Sequence, residues 1–275
     1  LFIPRAPVRA HPDRAPDYRE GMDTPHRFVV TTYNIWERAR WPERSAPLRS
    51  YLELTGPDVL AIQELRPETR EVIDDALPSH DRVEDPFVGW LEEGTIYWRR
   101  SLFEEVEHGA EDVGHVYSPN RRLFWVRLRH RPSGSTVLVT TVHFTWQGNP
   151  GEREAGQSPR NAEARATLAA LERLSPAQET GGEPVLFMGD LNDATNAIKT
   201  LREGGLTDSS TATGSPLLPT HPARPTATGV PQVLDWQFHR GEVRALTSHV
   251  GDYFLDDVAP SDHKPVVVTY GIGPE

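Results

Sequence analysis

Eight short runs of β-branched and aromatic residues punctuate the chain, and polar side chains gather at their ends. The runs are FVVTTYNIW (Phe28–Trp36), GPDVLAIQEL (Gly56–Leu65), GTIYWRR (Gly94–Arg100), RLFWVRLRH (Arg122–His130), TVLVTTVHFTW (Thr136–Trp146), PVLFMGDL (Pro184–Leu191), VLDWQFHRG (Val233–Gly241) and KPVVVTY (Lys264–Tyr270). Runs of this length and composition read as strands. Helical periodicity interrupts them in three places. In Ser45–Thr55, Leu48, Tyr51 and Leu52 share a face; Pro67–Leu77 opens with Pro67 and an acidic first turn; Pro159–Leu174 is Ala-rich, with Ala164, Leu168 and Leu171 on one side. RPSGS (Arg131–Ser135) reads as a hairpin turn. The mixture predicts one α+β domain, two sheets packed face to face with helices outside.

Composition narrows the function classes. No apolar run approaches the ~20 residues of a membrane span. The 275 residues carry a net charge of −11, which argues against a non-specific duplex-DNA binder, since such proteins offer a basic surface. There is no cysteine, hence no disulfide, thiolate metal site or cysteine nucleophile. Residues 1–27 are rich in Pro and Arg, hold no apolar signal-peptide core, and are expected to lie as an extended arm on the body formed by 28–275. The compartment stays open between the cytoplasm and secretion after removal of a signal.

The strand ends hold only carboxylates, carboxamides and imidazoles. Asn34 ends the first run and Glu64 the second; His143 lies near the end of the fifth; Asp190 and Asn192 end the sixth; Asp235 sits in the seventh; Asp262 and His263 precede the last. No Gly-rich phosphate loop or nucleophile-elbow serine is present. Hard oxygen donors suit Mg²⁺ or Mn²⁺, and imidazoles beside carboxylates can orient protons or steady a phosphorane. The inventory fits metal-assisted attack of water on a phosphate ester.

TYNIW, AIQEL, TTVHFTW, MGDLND, LDWQF and SDHKPVVV occur in that order. Together they resemble the endonuclease/exonuclease/phosphatase superfamily, over nearly the whole stretch from Phe28 to Tyr270. The resemblance implies a four-layered α/β sandwich of two mostly antiparallel sheets flanked by helices, with the site in a cleft at one edge. It implies that Glu64 is the main metal ligand, with Asn34 beside it and Asp262 supporting the metal side or a second metal. Asp190 would orient or deprotonate the attacking water, and Asn192 would bond a phosphate oxygen. His143 would bind the phosphate or act near the leaving oxygen. His263 would contact the scissile phosphate, with Asp235 holding its other ring nitrogen. The resemblance leaves the base open between Asp190 and His263. GDLN stands where the family has GDFN, and DW at Asp235–Trp236 where it has DY; neither departure touches a polar group.

Further candidates are weighed against plainer roles. Arg160 at the start of its helix binds substrate phosphate or pairs with a nearby acid. Arg122, with Arg121 beside it, binds phosphate or sits in a solvated turn. Trp146, at the mouth of a long loop, lines the cleft. His221, His239 and His249 show no partner pattern and are expected at the surface. The stretches Thr145–Pro159 and Thr207–Gln232 are expected as irregular loops, the second able to build a private pocket. The expected partner is a small phosphorylated molecule, a lipid headgroup or a short nucleotide. The rivals are a nuclease whose Arg38, Arg40, Arg121, Arg122 and Arg160 converge on a groove, and a non-catalytic binding module that keeps the fold.

Overall fold

The computed structural model describes residues 26–116, 118–178 and 182–273. The predicted arm, apart from residues 26–27, lies outside the described residues.

Two six-stranded sheets form the centre. The first has the order β11 (Val243–Val250), β12 (Val266–Ile272), β1 (His26–Asn34), β2 (Val59–Gln63), β4 (Gly94–Arg99), β3 (His80–Arg82). The second has the order β5 (Phe103–Glu111), β6 (Leu123–His130), β7 (Thr136–His143), β8 (Val185–Asp190), β10 (Asp235–Arg240), β9 (Thr207–Asp208). Each sheet contains one parallel pair, β1–β2 and β7–β8, flanked by antiparallel neighbours. The parallel crossovers are helical, as parallel pairing requires: α1 (Ser45–Thr55) joins β1 to β2, and α5 (Arg160–Leu174) lies between β7 and β8.

Side-chain alternation sorts three apolar layers. Between the sheets, Val30, Ala61, Ile96 and Val268 meet Val126, Val139, Leu186 and Met188. On the outer face of the first sheet, Tyr33, Leu60 and Ile62 bury Leu48 and Leu52 of α1 and Ile73 of α2 (Pro67–Ala76). On the outer face of the second, Leu138, Phe187 and Phe238 bury Ala164 and Leu171 of α5 and Ile198 and Leu201 of α6 (Asn196–Glu203). The result is the expected four-layered sandwich. Helix α1 stops at Gly56, whose left-handed backbone (φ 46°) lets its N–H reach the Leu52 carbonyl.

Two buried glutamines tie the sheets at fixed height. Gln63 Nε2 donates to Thr32 Oγ1 at 3.0 Å and, across the gap, to Thr141 Oγ1 at 2.7 Å. Gln237 Nε2 donates from β10 to the Val30 and Val266 carbonyls of the facing sheet. Buried polar groups persist only when paired, so these bonds specify how the sheets stack.

The loops hold more structure than their composition suggested. Within Thr145–Pro159, α4 (Pro150–Ala155) forms because the Asn149 side chain caps the Glu152 N–H and Pro150 fits the first turn. Within Thr207–Gln232 lie β9, the short α7 (Ser209–Ala212), and a bridge from His221 to Gln232.

Candidate active site

Topology alone brings the polar strand ends together. Parallel strands finish at the same edge, so Asn34 ends level with Gln63, and His143 level with Asp190. Asp235 opens the antiparallel β10 directly opposite Asp190. Strand β12 runs antiparallel to β1, so the Ser261–His263 segment that leads into it lies beside the end of β1. Both parallel pairs thus discharge their termini into one cleft.

Asp190 is the hub. Its Oδ2 accepts from Asn34 Nδ2 at 3.0 Å and lies 3.4 Å from His143 Nε2 and 3.7 Å from His263 Nε2; its Oδ1 accepts from the Asn192 N–H at 2.9 Å. Burial pushes its carboxyl pKa up to about 7, against the opposing charge of His263. Asn34 Nδ2 also donates to Glu64 Oε1 at 3.1 Å, while its Oδ1 accepts from the Trp36 N–H. The amide nitrogen therefore faces both carboxylates. Burial raises the Glu64 pKa too, with Arg121 and the Asn34 bond opposing the rise.

His263 Nδ1 lies 2.8 Å from Asp235 Oδ2. Burial alone would lower its pKa, but Asp235, Asp190 and Asp262 outweigh burial and hold it well above the usual imidazole range. Its Nδ1 is thereby the donor to Asp235, and Nε2 points at Asp190. His143 is the opposite case. Burial, with Arg121 nearby, keeps it neutral, and its Nδ1 has no hydrogen-bond partner.

The backbone aims two of these groups. Glu64 (φ 58°) and Asn192 (φ 46°) adopt left-handed conformations where the chain leaves a strand. Such conformations cost non-glycine residues on the order of 1–2 kcal/mol each and cluster at functional sites. Just before Asp190, Gly189 has φ 144°, and a Cβ there would run into the Val142 carbonyl of the parallel neighbour. Only glycine fits the approach that sets Asp190 against His143.

Arg44 braces the floor. It is fully buried, and its guanidinium donates to five carbonyls: Ala39 (2.7 Å), Ile35 (2.8 Å), Trp36 (2.9 Å), Glu37 (3.2 Å) and Pro260 (2.6 Å). The first four belong to the turn after Asn34. The last belongs to the segment carrying Asp262 and His263. Ser261 adds a second clasp by donating to the Asn34 carbonyl at 2.7 Å.

Several sequence expectations need correction. Arg122 turns toward Asp112 and lies over the Phe87 ring; the arginine that reaches His143 Nε2 (3.3 Å) is its neighbour Arg121, fixed by Glu93 at 2.8 Å. Arg160 takes the acid-pairing role: it bonds Glu152 at 2.6 Å and the Thr145 carbonyl at 3.0 Å. The Asn192 side chain donates to the Phe144 carbonyl. Trp146 is half-exposed beside α4. His239 is not at the surface but buried against Ser209, whereas His249 is exposed. His221 is the site residue that the sequence missed. Its ring lies 4.9 Å from that of His263, and its Nε2 is 3.8 Å from Asp262 Oδ2.

The donor set fits a divalent cation. Glu64, Asp190, Asp235 and Asp262 converge with one imidazolium and one guanidinium, and one oxygen of Asp235 is buried without a hydrogen-bond partner. An excess of hard, desolvated oxygen donors is what Mg²⁺ or Mn²⁺ requires.

Comparison with known proteins agrees with this fold. The sequence model of the Endonuclease/Exonuclease/phosphatase family matches residues 31–263. The chain belongs to this family. No curated protein sequence matches it. Its fold is that of other family members. A mannosyl-6-phosphatase from Bacteroides thetaiotaomicron superposes with a TM-score of 0.72 at 20% identity, over 88% of this chain and 98% of that one. D. rerio TDP2 complexed with a single-strand DNA product gives a TM-score of 0.70 at 18% identity, over 89% and 98%. The catalytic domain of human Nocturnin with a bound sulfate gives 0.69 at 16% identity, over 91% and 96%.

Proposed function

We propose that residues 28–275 form a divalent-metal-dependent phosphoesterase domain that hydrolyses a phosphate ester by in-line attack of water. One observation carries this reading: Asn34, His143 and His263 all converge on one oxygen of Asp190, and Glu64 shares the Asn34 amide nitrogen and lies 3.9 Å from His143 Nε2. Glu64 would hold Mg²⁺ or Mn²⁺, with Asn34 orienting it and Asp262 supporting this cation or a second one. Bound there, such a cation would supply charge neutralisation at the phosphate. Asp190, its pKa raised by burial, is the base that draws a proton from the attacking water. His263 takes the donor role in this reading: the carboxylates around it raise its pKa, so it would donate Nε2–H to a phosphate oxygen, held in place by Asp235. Arg121, 3.3 Å from His143 Nε2, would join His143 in binding the phosphate.

The substrate we favour is a small phosphorylated molecule rather than a nucleic acid. The five arginines of a candidate groove are each paired with a carboxylate: Arg38 with Glu68, Arg40 with Glu43, Arg121 with Glu93, Arg122 with Asp112, and Arg160 with Glu152. Paired arginines release few counterions from a polynucleotide. The test is a panel of sugar and inositol phosphates, sphingomyelin, p-nitrophenyl esters, DNA and RNA, run with Mg²⁺, Mn²⁺ or EDTA beside Asp190→Asn. Metal-dependent hydrolysis of a small ester that the variant abolishes is expected. Preference for DNA or RNA would overturn the substrate class. Full activity in Asp190→Asn would overturn the site.

A further inference from the structure

His221 has no part in the chemistry above, yet it is held at the centre. Loop 220–223 is strapped to the segment before β12 at both ends: the Ala223 N–H donates to the Asp262 carbonyl, and the Lys264 N–H to the Thr220 carbonyl, each at 2.6 Å. The Thr220 hydroxyl also accepts the N–H groups of Leu234 and Asp235. This scaffold brings His221, Asp262 and His263 together so that one ligand atom from each lies within 4.8 Å of the others. His221 is half-buried, and its Nδ1 is enclosed without a partner.

We propose that His221, Asp262 and His263 form a second cation site, selective for a first-row transition ion such as Mn²⁺ or Zn²⁺ over Mg²⁺. The donor chemistry carries the selectivity. Two imidazole nitrogens and one carboxylate oxygen suit transition ions, whereas Mg²⁺ prefers oxygen and water. Three protein ligands also leave a coordination position open, as in catalytic sites. Ligand atoms around one tetrahedral ion at ~2.0 Å stand about 3.3 Å apart, so the present spread closes by roughly an ångström and a half at most. Rotation of His221, the most exposed of the three, supplies most of that movement. His263 contributes Nε2, since Nδ1 stays bonded to Asp235, and that bond orients the ring as outer partners of metal-bound imidazoles do. Binding releases the Nε2 proton, so the imidazolium that meets a phosphate oxygen with one cation bound becomes a ligand with two.

This proposal rests on Glu64 and Asn34 forming the first cation site, and the test separates the two. Mn²⁺ binding is measured by electron paramagnetic resonance on the full chain, with and without excess Mg²⁺. The wild type is expected to bind two Mn²⁺, one displaced by Mg²⁺ and one retained. The retained ion should show nitrogen couplings from imidazole. In His221→Ala its affinity should fall by more than the roughly 10–100-fold that losing a mere outer partner of a ligand costs, and His221→Asn should behave likewise. Glu64→Gln should remove only the Mg²⁺-exchangeable ion. A single Mn²⁺ in the wild type, absence of nitrogen coupling, or unchanged binding in both His221 variants overturns the second site. An exchangeable ion that persists in Glu64→Gln overturns the first site instead.

Discussion

Replacing Arg44 by Met tests what holds the cleft in register. Met keeps much of the side-chain length but donates no hydrogen bond. Five carbonyls would lose their donor, and all are donated to by a guanidinium with no exposed surface. Bonds to a charged donor contribute ~1.5–3 kcal/mol each, so a simple sum would exceed 7. Arg44 itself gives up several kcal/mol of hydration to be buried, which the variant recovers. The net loss is about 3–5 kcal/mol, the range found when one partner of a buried charged cluster is removed. For a chain of this size each kcal/mol moves Tm by roughly 2–4 °C, so a fall of about 10 °C is expected. The loss concentrates where backbone strain is stored, since Trp36, Glu37 and Arg40 have φ values of 59°, 41° and 52°. Turnover should therefore fall further than stability alone explains, because Asn34 and His263 lose their common anchor. Arg44→Lys, with three donors, should recover part of both. Calorimetry and steady-state kinetics at a temperature where both proteins are folded provide the readout. A Tm within about 2 °C of wild type would refute the argument that this guanidinium holds the turn.

Two further outcomes follow from local geometry. Gly189→Ala should destabilise the chain by several kcal/mol and reduce activity with any substrate, because its Cβ meets the Val142 carbonyl and pushes β8 from β7; denaturant titration reads the first effect. His108 lies 2.6 Å from Glu105 and 3.1 Å from Asp85; burial lowers its pKa somewhat, but the two carboxylates raise it more. A raised folded-state pKa stabilises fully below the unfolded value of about 6.5 and fades as pH climbs through the folded value. His108→Asn should thus lower Tm near about pH 5.5 and leave it nearly unchanged near about pH 9; equal shifts at both would contradict the ion pairing.

The sequence showed the inner strands and the polar groups at their ends because both faces of those strands are buried. Val59–Gln63 and Val185–Asp190 are buried at every position, so their runs are continuous and their polar ends stand out. Strand β5 was not anticipated. FEEVEHGAE pairs only with β6 and buries little beyond Phe103, so its charges hide the period. Strand β11, an edge of the other sheet, was missed because most of VRALTSHV is partly buried or exposed and shows no clean alternation. For the arginines the sequence left two roles open each and could not choose between them. Whether Arg121 or Arg122 faces His143 depends on a turn conformation, and Arg160 finds Glu152 only because α4 forms. His221 had no local signal, since it enters the site through backbone bonds to residues some forty positions away.

The order of strands in the first sheet bears on how the protein comes into being. Strand β12 lies inside that sheet, bonded to β1 on one side and β11 on the other, although β1 leaves the ribosome first and β12 after every other described strand. The second sheet draws only on the contiguous stretch from Phe103 to Arg240. It can therefore assemble during translation while β1 waits with an open flank. Asp262 and His263 arrive with the strand that closes that flank. A nascent or C-terminally clipped chain thus lacks part of the candidate site until its architecture is sealed, so the proposed hydrolysis would be withheld from every half-made copy.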